Sequence, residues 1–164
     1  KEKAKHPRAQ TLTTLWLNHL VACASGTPTT SVQIGLNGAV QLDALSQSDA
    51  LAELQNLVTL YQEAWHKPLP VARKTACAFV MAMPANQDEE QSAVEVALQV
   101  AQVVFDGNRN LTGEYESSTP LQRVFHGFAD LQNDLPGMAQ RVYGAMVKSA
   151  RLLSAAKTNE EADA

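Results

Sequence analysis

Cysteine is nearly absent from this sequence: Cys23 and Cys77 are the only two. A secreted disulfide scaffold packs more of them into a shorter chain. Both sit among apolar neighbours and read as buried free thiols of a reducing cytoplasm; a single bridge between them is the other reading. Aromatic residues make up 5% and charged residues 18%. With 13 Lys+Arg against 17 Asp+Glu the formal net charge is −4. That balance excludes a uniformly basic nucleic-acid binder but leaves room for a local basic patch. No apolar run reaches the ~20 residues of a membrane span. No apolar stretch follows Lys1, Lys3 and Lys5, so no signal peptide is expected. The first residue is lysine, so the chain is expected to be part of a longer protein.

Catalytic signatures are missing as well. Nucleases that use Mg²⁺ commonly place an Asp or Glu two residues before a Lys, the carboxylate holding metal and the lysine orienting water. The residues two before each lysine are Lys1, Lys3, Trp65, Ala72, Met146 and Ala155, and Lys1 has no predecessor. None is acidic. There is no G-x-S-x-G, no phosphate-binding loop and no G-x-G-x-x-G. His19 and Cys23 share a helix face and could form half a zinc site; a core histidine beside a core thiol is the simpler reading, since no second pair with ligand spacing exists. No catalytic, cofactor or metal residue is therefore assigned, and the chain is not expected to be an enzyme by itself.

What is present is 45% hydrophobic residues over 164 positions, enough for one packed domain. The pattern predicts an α+β fold, predominantly α, with about six helices and a small antiparallel β-hairpin. It also predicts one domain over residues 1–156 and an acidic disordered tail over 157–164. Leu12, Leu15, Trp16, Leu20 and Cys23 form a helical stripe over about 8–25, entered at Pro7 and stopped by Gly26. Val32, Ile34, Leu36 and Val40, Leu42 alternate around Asn37-Gly38. A three-residue loop, with Gly38 left-handed, would set Ile34 opposite Val40 and Val32 opposite Leu42. A helix over about 48–65, capped by Ser46 or Ser48, is expected to bury Leu51, Leu54, Leu57, Val58, Tyr61 and Trp65. Pro68-Leu69-Pro70 breaks the chain before a short helix at about 74–83, stopped by Pro84. Asn86 is placed as cap of a helix to Asp106, with Asp88, Glu89 and Glu90 in its first turn and Val94, Leu98, Ala101 and Phe105 as its stripe. Residues 108–118 read as an exposed loop. A short helix over 119–128 turns Leu121, Val124, Phe125 and Phe128 inward. A last helix, opened by Asp134 and Pro136 and fraying after Ala156, carries Met138, Val142, Met146 and Leu153.

Two basic clusters remain, Lys1, Lys3, Lys5, His6 and Arg8 at one end and Arg73-Lys74 after the proline turn. Lys3, Lys5, Arg8, Arg73 and Lys74 are the candidate contacts to DNA phosphates or a partner, against the alternative of solvated faces. Trp16 and Trp65 fall on apolar stripes and are expected in the core rather than as base-stacking platforms.

The stretch Leu15-Trp16-Leu17-Asn18-His19-Leu20-Val21-Ala22-Cys23-Ala24-Ser25-Gly26 resembles the opening helix of the C-terminal region of RecC, the gamma subunit of exodeoxyribonuclease V (RecBCD). Leu54-Gln55-Asn56-Leu57-Val58-Thr59-Leu60-Tyr61-Gln62-Glu63-Ala64-Trp65-His66-Lys67-Pro68-Leu69-Pro70, followed by Lys74-Thr75-Ala76-Cys77-Ala78, resembles the next blocks of that family in order and spacing. The resemblance spans about residues 5–153. It implies a bacterial, cytoplasmic, DNA-repair and recombination role beside the RecB and RecD subunits, with DNA ends and single strands as further partners and no membrane. It also implies the later part of an inactive RecB-nuclease-like, PD-(D/E)xK-like domain that has lost its nuclease residues, with the ATPase and active nuclease on other chains. In nucleases of this fold the acidic strands precede the helix that starts here near Arg8. A helical protein-interaction module unrelated to DNA is the alternative, and an active nuclease would need acidic strands upstream.

Overall fold

The computed structural model describes residues 11–35, 38–84 and 90–153. The candidate contacts Lys3, Lys5 and Arg8, the Pro7 helix entrance, the Asn86 cap and the acidic tail all lie outside the described residues. The fold is mostly helical with a small antiparallel sheet. Among the described residues no helix is long and apolar enough to cross a membrane.

Helix α1 (Thr13–Ala24) buries Trp16, His19, Leu20 and Cys23, and the chain leaves it through Gly26 at φ +87°. Only glycine adopts that backbone readily, so the predicted stop is also a conformational requirement. Strands β1 (Ser31–Gly35) and β2 (Gly38–Leu42) pair antiparallel. Their register corrects the expected one: Ile34 faces Ala39, Val32 faces Gln41, and Gly35 faces Gly38. Val40 and Leu42 are buried, so on β1 it is Ser31 and Gln33 that share the inward face. The reason is polar. Ser31 donates its hydroxyl to His19 Nδ1 (3.0 Å), and Gln33 reaches the Thr11 hydroxyl (3.4 Å). A polar strip along α1 thus outweighs the apolar alternation of β1, and Ile34 is left 83% exposed.

His19 is a core residue. Its Nε2–H donates to the carbonyl of Asp43 (3.1 Å), which leaves Nδ1 to accept from Ser31, and Cys23 Sγ lies 3.8 Å from Nε2. The Trp16 ring stacks on it at 5.8 Å. Both nitrogens are spoken for by a neutral ring, and burial lowers the pKa of His19.

Helix α2 (Gln47–His66) is capped by Ser46, whose hydroxyl accepts from the amide of Asp49 (3.1 Å). Helix α3 (Arg73–Ala82) buries Thr75, Ala76, Cys77, Phe79 and Val80 and packs along α4 (Glu90–Asp106). On α4 the deepest residues are Ala97, Ala101 and Phe105.

The segment after α4 is not the exposed loop expected for 108–118. Strands β3 (Gly107–Asn108) and β4 (Leu111–Thr112) form a two-rung hairpin, after which Gly113 and Glu114 are buried. Gly107 has φ +81°, and a Cβ on Gly113 would strike the backbone at Phe105 and Asp106. This close approach drives Glu114 to the start of α3, where Oε1 accepts from the amide of Lys74 (2.9 Å). Oε2 accepts from the amide and hydroxyl of Thr75 (both 2.8 Å). Ala72 offers no cap of its own. A carboxylate 40 residues away does the capping instead. Tyr115 then packs on Phe105 (5.1 Å), which also meets Phe128 (5.7 Å).

Helix α5 (Thr119–Val124) is shorter than expected and its Val124 is exposed. Phe128 belongs to a separate 3₁₀ turn, Phe128–Asp130. The last helix runs as α6 (Leu135–Ala139), a π turn (Gln140–Gly144) and α7 (Ala145–Ser149). Leu135, Ala139, Tyr143 and Met146 are its buried residues. It does not continue to 156: Ala150–Leu153 is strand β5, paired antiparallel with β2, Val40 opposite Leu152. The free edge of β2 needs hydrogen-bond partners, and that need overrides the helical pattern that had included Leu153. The sheet order is β1-β2-β5.

Two outcomes follow for stability. Glu114→Gln places an amide donor among three donors, so urea unfolding is expected to show a loss of about 1.5–3 kcal/mol, and Thr75→Val a smaller loss; an unchanged midpoint for Glu114→Gln would refute the capping role. For His19, the unfolded ring binds protons more readily than the folded one. The stability it contributes is complete above the unfolded pKa of about 6.5 and is lost as pH falls below that value. Thermal melts of the wild type should therefore drop more steeply from pH 7.5 to 5.5 than melts of His19→Gln.

Candidate partner interface

Helix α2 departs from the expectation over part of its apolar face, and three of its polar residues, Glu53, Asn56 and Glu63, turn toward the protein. Asn56 Nδ2 donates to the carbonyl of Arg141 (2.8 Å), and the Arg141 guanidinium donates to both oxygens of Glu63 (2.8 and 3.3 Å). Arg141 sits in the π turn and presents backbone and side chain together to α2. The pairing holds the Glu63 carboxyl below its ordinary pKa and pushes Arg141 up. Glu53, on the same side of the helix, has its pKa raised by burial.

Of the residues expected to be buried on α2, Leu54 and Leu57 are partly so, beside Ala50 and Leu60. The others form an outward stripe. Leu51 is 51% exposed, Val58 54%, Tyr61 63% and Trp65 74%. The Tyr61 and Trp65 rings meet edge to face at 5.9 Å. Trp65 is thus a surface residue, while Trp16 is in the core as expected. The inward side of α2 combines Ala50, Leu54, Leu57 and Leu60 with the polar contacts to Arg141.

Arg73 and Lys74 stand in the first turn of α3, Arg73 exposed and Lys74 half-buried. Lys74 meets Glu114 through its backbone amide. Two of the amides that would greet a phosphate at this helix end, those of Lys74 and Thr75, are already taken by the Glu114 carboxylate. A phosphate contact here would fall mainly to the two side chains. Nearby thiol chemistry is suppressed: burial, reinforced by the Glu114 charge, pushes the Cys77 pKa up to about 12.

A groove of about 1110 Å³ runs between α2, α3, α4 and the last helix, with Glu53, Met83, Val94, Gln140, Arg141 and Lys148 on its walls. Its charges are mixed. Among the described residues no group of three His, Cys, Asp or Glu is placed to hold a metal ion. The residues that position this face and that sequence reasoning missed are Glu114, Glu63, Asn56 and Arg141. Their partners lie 39 to 85 positions away, a separation that leaves no local signal.

A comparison with curated proteins finds no match to the chain. The model of the RecC C-terminal domain family matches residues 2–84, half of the chain. That stretch holds α1, the β1–β2 hairpin, α2 with its outward stripe, and α3 with Arg73 and Lys74. The chain belongs to the RecC C-terminal domain family, the family of a subunit of the DNA-processing exodeoxyribonuclease V (RecBCD) complex.

Proposed function

We propose that this chain is a non-catalytic module of the gamma subunit of exodeoxyribonuclease V. It docks on the RecB and RecD subunits and helps guide DNA strands at a double-strand end. Family membership is the observation that carries the reading. The distribution of exposed apolar side chains supports it: Leu17 and Val21 on α1 and Val96, Val100 and Val103 on α4 are about half exposed at helical spacing. Isolated surface apolar residues are ordinary, but rows of them mark surfaces made to be covered. The absence of a nuclease role rests on the resemblance, which implies lost nuclease residues, since the acidic strands of such a fold would precede this stretch. In this reading the chain has a nuclease-like fold without its metal ligands, carries no cofactor, and works in the cytoplasm. Lys3, Lys5, Arg8, Arg73 and Lys74 supply a modest phosphate grip, and the rest of the complex supplies the strong one.

Immobilised chain is expected to retain purified RecB or RecD subunit; retention of neither would end the docking reading. With Mg²⁺ and linear duplex DNA the chain should release no nucleotides, and cleavage abolished by mutating its own acidic residues would show an active nuclease instead. DNA binding should be weak and salt-dependent. If Lys3, Lys5 and Arg8 each hold one phosphate, the triple Ala variant lowers the slope of log K against log salt by about 2–3. An unchanged slope would remove that cluster from the DNA path.

A further inference from the structure

The C-terminal end of α2 carries two exposed aromatic rings, and the chain that follows carries no acid. Tyr61 and Trp65 meet edge to face at 5.9 Å. In that arrangement each ring keeps at least one face clear of the other. The exposed residues of α2 from Leu51 to Trp65 are all uncharged. Gln62, about one turn before Trp65, adds a hydrogen-bond donor and acceptor. From Ala64 to Gln87 the sequence contains no Asp or Glu, although acids outnumber bases in the chain as a whole. Lys67, Arg73 and Lys74 fall in this stretch. Lys67 is exposed two residues after Trp65, and Arg73 is exposed at the start of α3. Eight residues separate Trp65 from Arg73, so their backbones are at most ~29 Å apart. The nearest acid in sequence, Glu63, is held by Arg141.

We infer that Tyr61 and Trp65 form a stacking platform for the bases of a single nucleic-acid strand, with Lys67 and Arg73 against its phosphates. The site rests on the proposed strand-guiding role and supplies that role with its contact to bases. Stacking needs flat, exposed π faces and accepts any base. Phosphates need cations and an absence of carboxylates. This corner of the molecule supplies both, in a chain of net charge −4. The size of the surface points the same way. With fully exposed aromatic side chains presenting about 150–250 Å², Leu51, Val58, Tyr61 and Trp65 at their observed exposures offer on the order of 500 Å². A specific protein interface takes roughly 800 Å² from each partner, whereas two rings match two bases. A duplex keeps its base faces inside the stack, so the platform selects single strands.

Trp16 is buried, so Trp65 is the tryptophan within reach of a ligand. Titrating the full chain at low salt with an oligothymidylate of about 15 nucleotides is expected to quench tryptophan emission. A duplex of the same length and inorganic polyphosphate should not. Anisotropy of the labelled strand then separates stacking from charge. Position 65 is exposed, so substitution there leaves the core untouched. Trp65→Phe keeps a ring and should bind within about threefold of wild type. Trp65→Leu keeps an apolar side chain without the ring and should weaken binding at least ~5-fold, with the slope of log K against log salt unchanged. Lys67→Ala should instead lower that slope by about 0.7. Strand binding that Trp65→Leu leaves unchanged overturns the inference while the strand-guiding role stands, and so does equal quenching by polyphosphate. A chain that binds no single strand even at low salt removes the strand-guiding role and the platform with it. If Trp65→Leu binds the strand normally while Trp65→Ala loses retention of RecB or RecD, the rings belong to a protein contact, and the inference fails while the docking reading stands.

Discussion

One carboxylate fixes the arrangement of the helical half of this protein. Glu114 is buried, yet it accepts three hydrogen bonds from the first turn of α3. A buried carboxylate without partners is costly, and so is a buried helix start without acceptors. Each cost cancels the other only when α3 and the segment after α4 are brought together. Gly107 and Gly113 permit this because no side chain stands between their backbones. The same turn delivers Tyr115 to Phe105, so cap and aromatic cluster form as one unit. Cys77 and Tyr143 are held nearby, each with its pKa pushed up to about 12, chiefly by burial.

The second long-range constraint is Arg141. It takes the amide of Asn56 on its carbonyl and the carboxylate of Glu63 on its guanidinium, two helical turns apart along α2. Fixing two points on one face fixes the rotation of the helix. The apolar row Leu51, Val58, Tyr61 and Trp65 must then face outward. Glu63 and Arg141 are themselves solvent-accessible, so the pair orients the helix more than it stabilises it. An outward apolar row costs little in the isolated chain, since those side chains remain hydrated as in the unfolded state, and it becomes favourable once covered.

The sequence made the local structure legible. The stripe of α1, the Ser46 cap, the stop at Gly26 and the breaks at Pro68, Pro70 and Pro84 each depend on neighbours within a few positions, and the structure contains them. What was misread depends on distant partners. The hairpin register turns on Ser31 finding His19 across twelve residues. The end of the last helix turns on β2 needing an edge partner, and the polar contacts on the inward side of α2 turn on Arg141. Val32 and Ile34 alternate as a buried strand should, yet a polar neighbour reversed them. The basic pair Arg73-Lys74 was visible, but the anion that satisfies the helix beneath it was not.

That anion bears on how a chain of net charge −4 takes part in DNA processing. A helix start carries roughly half a positive charge and free amides, which makes it a natural phosphate site. In α3 both amides at issue and the local field are spent on Glu114, so a phosphate approaching Arg73 meets a full negative charge behind the helix end. Coulomb energy falls only as the inverse of distance, and at the effective dielectric of a protein surface it stays at the kcal/mol scale across several ångströms. In the proposed role, Arg73 and Lys74 would attract a strand only weakly and would not hold it in place. If a strand moves over this surface as proposed, a weak grip suits it, and the Glu114 carboxylate that caps α3 would weaken the grip through the same bonds that build the fold.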